Sequence, residues 1–269
     1  QIDLEIRIYE GEQARVNKVS VIGNTKTNDH VIMREIRTMP GDLFKRSDIM
    51  RSQRELAMMQ YFNPETFDVK IDPQPTRNEV DITYVVEEKS SDQISMSGGW
   101  GAGRVIGQLA LTFNNFSSKN FFKKDKWKPL PSGDGQRLIL QAQSNGIYYR
   151  TYRASFVEPW LGGKKPTSLS VSLHRAESTN GLDGDEKQEL SITGLSVSLG
   201  NRLKKPDDWF RLYNGLEFSR YDLNNSQTFF SFSDGYSNNI NYSLTLDRNS
   251  VDQATYPRQG SHFTLSLNA

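Results

Sequence analysis

From residue 92 to the last residue the sequence alternates apolar and polar side chains, segment after segment. A two-residue period of this kind builds strands with one apolar and one polar face. Residues 92–113, DQISMSGGWGAGRVIGQLALTF, begin the pattern. Ile94, Met96, Gly98 and Trp100 fall on one side, and Ser95, Ser97 and Gly99 on the other. The return arm sets Leu109, Leu111 and Phe113 against Gln108, Ala110 and Thr112. That predicts a β-hairpin. Gly98, Gly99, Gly101 and Gly103 remove side-chain packing and raise the entropy lost on pairing, so the first arm is expected to be held loosely.

Seven further strands are expected over residues 137–144, 148–157, 167–176, 188–199, 210–221, 239–247 and 261–267. Leu169, Val171 and Leu173 oppose Ser168, Ser170, Ser172 and His174, and Phe263, Leu265 and Leu267 oppose His262, Thr264 and Ser266. Polar partners this regular suit a hydrated interior behind an apolar exterior better than a dry sandwich. One segment breaks phase, with Leu190 and Ile192 even but Leu195, Val197 and Leu199 odd, which predicts a β-bulge near Thr193 and Gly194.

The hydrophobic fraction of 35% is low while aromatics reach 11%, again as expected for a wet interior and an apolar outside. No apolar run is long enough for a transmembrane helix, but a membrane barrel needs only about 9–11 alternating residues per strand. Lys and Arg number 33 against 32 Asp and Glu, so the net charge of +1 gives no reason to expect nucleic acid. With no cysteine, neither a disulfide framework nor a thiolate metal site is available. The turns alternate between compact ones at 162–165, 201–208 and 248–259 and longer, polar ones at 177–186 and 224–238. Trp160, Trp209 and Tyr256 sit at strand ends on the first side, either as an interfacial aromatic girdle or simply covering core edges.

The first 89 residues differ. Residues 2–9 alternate as a single strand before Glu10 and Gly11, too little to fold alone. From residue 14 a strand (Val16, Val19, Val21) precedes the turn Gly23-Asn24, and Thr27 is a candidate N-cap for a helix over 28–37. Pro40-Gly41-Asp42 breaks it. A second helix follows over about 47–60, with Ile49, Leu56 and Met59 on one stripe. Phe67, Val69 and Ile71 form a strand, 72–78 a turn, and Val80, Ile82, Tyr84 and Val86 another strand. The order is β-α-α-β-β, a small α+β domain. The expected division is 1–12 as the end of a preceding domain, 13–89 as this domain and 90–269 as the sheet. Starting at Gln1 with neither initiator methionine nor a leader, the chain reads as a piece of something longer.

Several segments resemble the BamA superfamily of outer-membrane insertases, which join periplasmic POTRA domains to a transmembrane β-barrel. Val21-Ile22-Gly23-Asn24, Arg34-Glu35, Gly41 and Tyr61-Phe62 are similar to a POTRA domain, and Glu10-Gly11 to the end of a preceding one. Phe156-Val157-Glu158-Pro159-Trp160 resembles the turn after the fourth barrel strand. Leu246-Asp247-Arg248, with Tyr256-Pro257-Arg258-Gln259-Gly260-Ser261, resembles the pattern entering a later strand. Residues 129–135 look like the Bacteroidota version. The chain departs from the family in its long connection over 114–135, which implies room for an added periplasmic contact. It also holds about nine strands where relatives close an even-numbered barrel.

The resemblance implies an antiparallel transmembrane β-barrel, of which about the first nine strands are present, in the bacterial outer membrane with the POTRA domain in the periplasm. It implies nascent outer-membrane β-barrel proteins as clients, accessory lipoproteins of an assembly complex as partners, and lipids including lipopolysaccharide as surroundings. In relatives an incoming strand displaces weak pairing at the first barrel strand. That points to Ile94, Ser95, Met96, Ser97, Gly98, Gly99, Trp100 and Gly101 as the lateral gate; read without the resemblance, they make an ordinary glycine-rich strand. A secretion pore of the same superfamily and a soluble β-sandwich binding module are the alternatives. No catalytic constellation, cofactor motif or metal-ligand spacing occurs: His30, His174 and His262 lie apart, Ser155 and Asp247 lack a matched base and acid, and no helix follows Gly98–Gly101 to hold a phosphate. Lys123, Lys124, Lys126 and Lys128 meet either phosphate headgroups or solvent.

Overall fold

A computed structural model of the chain describes residues 12–101, 104–127, 130–163, 165–226, 232–251 and 257–269. It divides into two compact units: the described residues up to Ser91 together with Ser132–Asp134, and Asp92–Pro131 with Gly135–Ala269.

In the first unit β1 (Arg15–Ile22) leads to α1 (Asp29–Met33), α2 (Arg46–Met58), β2 (Asp68–Gln74) and β3 (Glu79–Val85). The sheet order is β1-β3-β2, with β1 parallel and β2 antiparallel to β3. Placed centrally, β3 buries Val80, Ile82 and Tyr84 at alternate positions, and α2 buries Ile49, Ser52 and Leu56 at helical spacing. With Val16, Ile32, Ile36 and Phe62 they make one closed apolar core.

The first helix is shorter than the expected span of 28–37. Its N-cap position is Asn28, not Thr27, and no side chain caps it. After Met33 the backbone is drawn onto the core: the Arg37 N–H donates to Ser52 Oγ at 2.8 Å, and the Thr38 and Tyr84 hydroxyls lie 3.0 Å apart. The Arg34, Glu35 and Ile36 N–H groups still make local turn bonds, and the one to Ser52 takes Arg37 out of the helical pattern. Strand β2 runs on through Pro73 into the expected turn. An edge strand tolerates a residue with no N–H to give.

The second unit is a nine-stranded antiparallel sheet in sequence order, as the alternation predicts. Its strands are β4 (Gln93–Gly101), β5 (Arg104–Phe116), β6 (Gln136–Asn145), β7 (Tyr149–Glu158), β8 (Thr167–Thr179), β9 (Glu189–Arg202), β10 (Phe210–Asn224), β11 (Gly235–Asn249) and β12 (His262–Asn268). Pairing continues from β4 to β12, and among the described residues β4 and β12 each have a single neighbour.

Register rows show how the two faces are laid out. One row joins Ile94, Leu111, Leu140, Ala154, Leu173, Leu195, Phe218 and Ile240, apolar throughout. The row through Met96 is apolar as far as Tyr152 and then becomes Arg175, Thr193 and Arg220. At the other edge, Leu244 pairs with Leu267 and Leu246 with Leu265, in rows that have no member on β4. The apolar band therefore crosses the rows obliquely, as it must when strands are tilted to a layer of fixed height. The opposite face carries Ser95, Gln108, Gln141, Arg153, Ser172, Ser196, Glu217, Asn241 and Thr264.

The bulge expected near Thr193 and Gly194 is absent: pairing of β9 with both neighbours runs through these residues without a shift. Instead Leu190 and Ile192 point to the polar face at that strand end, paired with Leu223 and Tyr221, and Leu223 is buried. The phase break marks a small apolar cluster at one rim. The register shift lies at Phe113–Phe116 of β5, where Asn114 and Asn115 are buried.

Candidate functional site

Strand β4 pairs with β5 over all nine of its residues, Gln93 with Thr112 through Gly101 with Arg104. The structure thus brings Ile94, Ser95, Met96, Ser97, Gly98, Gly99, Trp100 and Gly101 into one strand whose second edge has no bonded neighbour among the described residues. Every residue of β4 is exposed; Ile94, Met96 and Trp100 keep 74%, 82% and 79% of their surface. A strand in this state offers N–H and C=O groups at every second residue to another strand. Gly98 pairs with Gly107 on β5, and Gly107 with Ser144 on β6. This row of small residues leaves an open apolar cleft walled by Met96, Trp100, Val105, Leu109 and Tyr152. Gly107 carries no signal of its own in the sequence; its role appears only once the hairpin register sets it opposite Gly98. Gly103 lies outside the described residues.

The loop that follows Gly23 and Asn24, together with Phe62, gathers around the carboxylate of Glu88. Gly23 has φ +98°, and a Cβ there would collide with the Val86 carbonyl, so the turn after β1 requires glycine. Asn24 Nδ2 donates to Thr27 O at 2.9 Å and Asp29 Oδ1 at 2.6 Å, which shapes the following loop. The loop's N–H groups then converge on Glu88: Thr25 and Lys26 donate to Oε2 at 2.9 and 2.8 Å, Thr27 to Oε1 at 2.7 Å, and the Thr25 hydroxyl to Oε2 at 2.6 Å. Burial pushes this carboxyl up, but the hydrogen bonds from Thr25, Thr27 and Lys26 outweigh it and hold the pKa at about 2. Buried Phe62 forms a bridge with Glu88. Gly41 turns the chain at φ +93° after α1. In the same unit Asn28 Nδ2 donates to Asp134 Oδ1 at 3.0 Å, and the Asn28 N–H to Gly133 O at 3.0 Å, so the tip of the long connection belongs to this unit.

The second motif gathers at the β11–β12 turn. Arg248 donates to Asp207 Oδ2 at 3.2 and 2.8 Å, to Ser250 Oγ at 2.9 Å and to Ser261 Oγ. It ties the turn after β9 to the one after β11. Gly260, at φ +92°, lies against the Ser250 carbonyl. Asp247 Oδ1 accepts from Thr264 Oγ1 at 2.8 Å and lies 3.2 Å from His262 Nε2. Pro159 sits in the turn after β7, where the Trp160 N–H donates to Glu158 Oε1 at 3.0 Å. Pro257 is exposed, and Tyr256 lies outside the described residues. Among the described residues no group of acidic or histidine side chains is arranged to hold a metal.

The sequence matches the POTRA family, described as surface antigen variable number repeat, over residues 14–89, and the Omp85 superfamily domain over residues 132–269. The chain belongs to the Omp85 superfamily. A Treponema pallidum protein provisionally named an outer membrane protein assembly factor is 28% identical over 260 residues, covering 85% of this chain and 30% of that protein. The outer membrane protein assembly factor BamA of Nitratidesulfovibrio vulgaris is 33% identical over 158 residues, 59% of this chain and 18% of its own length. The crystal structure of Haemophilus ducreyi BamA lacking POTRA domains 1–3 has the same fold at a TM-score of 0.63 and 21% identity, over 96% of this chain and 48% of that one. The chain thus spans less than half of these relatives.

As a member of this superfamily the chain lies in the outer membrane, its POTRA unit on the periplasmic side. The apolar band of the sheet is the lipid-facing side and the polar face the lumen. Since the chain passes from the POTRA unit directly into Gln93, the turns after β5, β7, β9 and β11 are periplasmic and those after β6, β8 and β10 external.

Proposed function

We propose that this Omp85 chain assembles β-barrel proteins into the outer membrane, and that β4 is the lateral gate at which an incoming strand pairs. The observation that carries the reading is the glycine content of β4, the first strand of the sheet, which is exposed along its whole length. In hydrocarbon each unpaired N–H or C=O costs several kcal/mol, so the outer edge of such a strand takes a partner strand. Gly98, Gly99 and Gly101 weaken whatever pairing is made there. A client strand would add by β-augmentation, with main-chain bonds giving affinity and few side-chain demands giving breadth of clients. No bond changes, cofactor or nucleotide enter the process.

The POTRA unit would hold clients or accessory lipoproteins through the edge of β2, whose residues are exposed or half-buried and which among the described residues pairs with β3 alone. The outer edge of β1 is less open, since Phe44 and Gly41 donate to Ala14 and Val16 carbonyls. Cysteines at Ser95 or Ser97 test the gate in a chain with no native cysteine. The expected result, under a mild oxidant, is a disulfide adduct with a stalled barrel client that carries a single cysteine in its terminal strand. An export pore on the same fold gives no adduct at these sites and instead releases a soluble substrate, and that outcome removes the insertase reading.

A further inference from the structure

The periplasmic turn between β5 and β6 is not absorbed by the gate. It is a built lobe. The Ser117 N–H donates to Pro131 O at 2.9 Å, the Ser118 N–H to Gln136 Oε1 at 2.6 Å, and Gln136 Nε2 to Glu158 Oε2 at 2.7 Å. From this base a chain of aromatic contacts leads outward from the lipid-facing side of the sheet. Phe156, in the same register row as Leu138 and Val171, meets Phe116 edge-on at 6.4 Å between ring centroids. Phe116 meets Phe121 at 6.2 Å, and Phe121 meets both Phe122 and Trp127 at 5.4 Å. The Trp127 indole N–H is already satisfied by Phe121 O at 2.9 Å. The outermost ring, Phe122, is 89% exposed, and Phe121 and Trp127 are exposed beside it. The same segment, residues 118–125, carries the exposed Lys119, Lys123 and Lys124 with Asp125 as its one carboxylate.

We infer that this aromatic and lysine lobe is an interfacial anchor that binds anionic phospholipid headgroups of the periplasmic leaflet. Two observations select that occupant. The rings are continuous with the lipid-facing band through Phe116 and Phe156, which places them at the bilayer edge and not in open periplasm. The surrounding charge is net positive, and phosphate-bearing headgroups lie at that depth. Aromatic rings prefer the headgroup layer, and lysines reach from it to phosphates. Each lysine near an anionic surface strengthens binding about fivefold. The lobe follows β5, the strand that holds β4, so it fixes the height of the gate strand in the bilayer and crowds lipid beside the seam. The inference rests on the lipid-facing assignment of the apolar band, and its test separates the two.

The test uses the intact protein in vesicles of phosphatidylethanolamine and phosphatidylglycerol, with an environment-sensitive dye on Phe122→Cys or, in a second variant, on Asp125→Cys. Lipids carrying a quencher at headgroup depth should quench the dye while aqueous acrylamide, a neutral quencher, should not. Replacing phosphatidylglycerol by a zwitterionic lipid, or combining Lys119→Gln, Lys123→Gln and Lys124→Gln, should restore acrylamide quenching several-fold. A dye on Leu173→Cys should be quenched only by deep-placed lipid quenchers. Acrylamide access as free as for dye in solution overturns the inference, as does protection unaffected by lipid charge and by the lysines, or protection that appears only when a periplasmic protein is added. Failure at Leu173 as well overturns the lipid-facing assignment itself.

Discussion

The two units of this chain solve opposite solvent problems. In the POTRA unit thirteen apolar residues among those described are buried in one core, and Val31, Ile32, Leu56, Phe62 and Ile82 keep no exposed surface at all. In the nine-stranded sheet the large apolar side chains are mostly exposed or half-exposed and lie on one face, while serine, asparagine and glutamine line the other. The first arrangement is stable in water because it hides hydrocarbon from water. The second is stable only where hydrocarbon surrounds it. One alternating pattern therefore gives a core strand in β3 and a membrane strand in β8, and what differs is whether another layer of protein covers the apolar side.

The contrast can be broken at several points. Phe62→Ala should cost about 3–5 kcal/mol, in detergent and bilayer alike, read as lost hydrogen-exchange protection confined to the POTRA amides. Leu195→Arg should cost about 2–4 kcal/mol and only in a bilayer, whereas the adjacent Ser196→Arg, facing the lumen, should cost far less; folding titrations into vesicles compare them. Gly194→Val drives a side chain into the His174 imidazole, which lies over that glycine from the neighbouring strand. It should cost about 1–3 kcal/mol by loss of heat resistance on gels, and His174→Ala should recover most of it.

Glu88→Gln has the smallest expected effect, about 1–2 kcal/mol once solvent screening is allowed for. Because the folded pKa is held at about 2, below the ordinary 4.5, the wild-type carboxylate contributes fully above pH 4.5 and loses that contribution as pH falls toward 2. The variant should remove that slope from POTRA unfolding curves measured between pH 7 and pH 2.5.

Much of this was legible in the sequence because a two-residue period survives without tertiary information. Residues 167–176 and 261–267 were readable as strands with faces assigned. The β-α-α-β-β order also was, since Gly23, Gly41 and Pro40 punctuate it. What escaped detection depends on partners distant in sequence. Glu88 reads as linker polarity until the loop after Gly23 folds onto it from more than 60 residues away. Leu190 and Ile192 suggested a bulge because phase was judged within one strand, whereas Leu223 and Tyr221 on β10 are what cover them. The short α1 goes with Ser52 capturing the Arg37 N–H, a tertiary bond that outweighs local propensity. For β4, glycine density and alternation were visible, but the facing pair Gly98 and Gly107 required the register.

The claim beneath all of this is that the apolar face of the sheet meets lipid and the polar face meets water. Single cysteines carrying a spin label along residues 168–176 of β8, in the protein reconstituted into vesicles, test it most directly. Accessibility to oxygen should peak at Leu169, Val171 and Leu173, and accessibility to a water-soluble nickel reagent at Ser168, Ser170 and Ser172, in strict alternation. If Leu169, Val171 and Leu173 are shielded from both reagents, they are packed against protein, and the membrane assignment of the sheet is wrong.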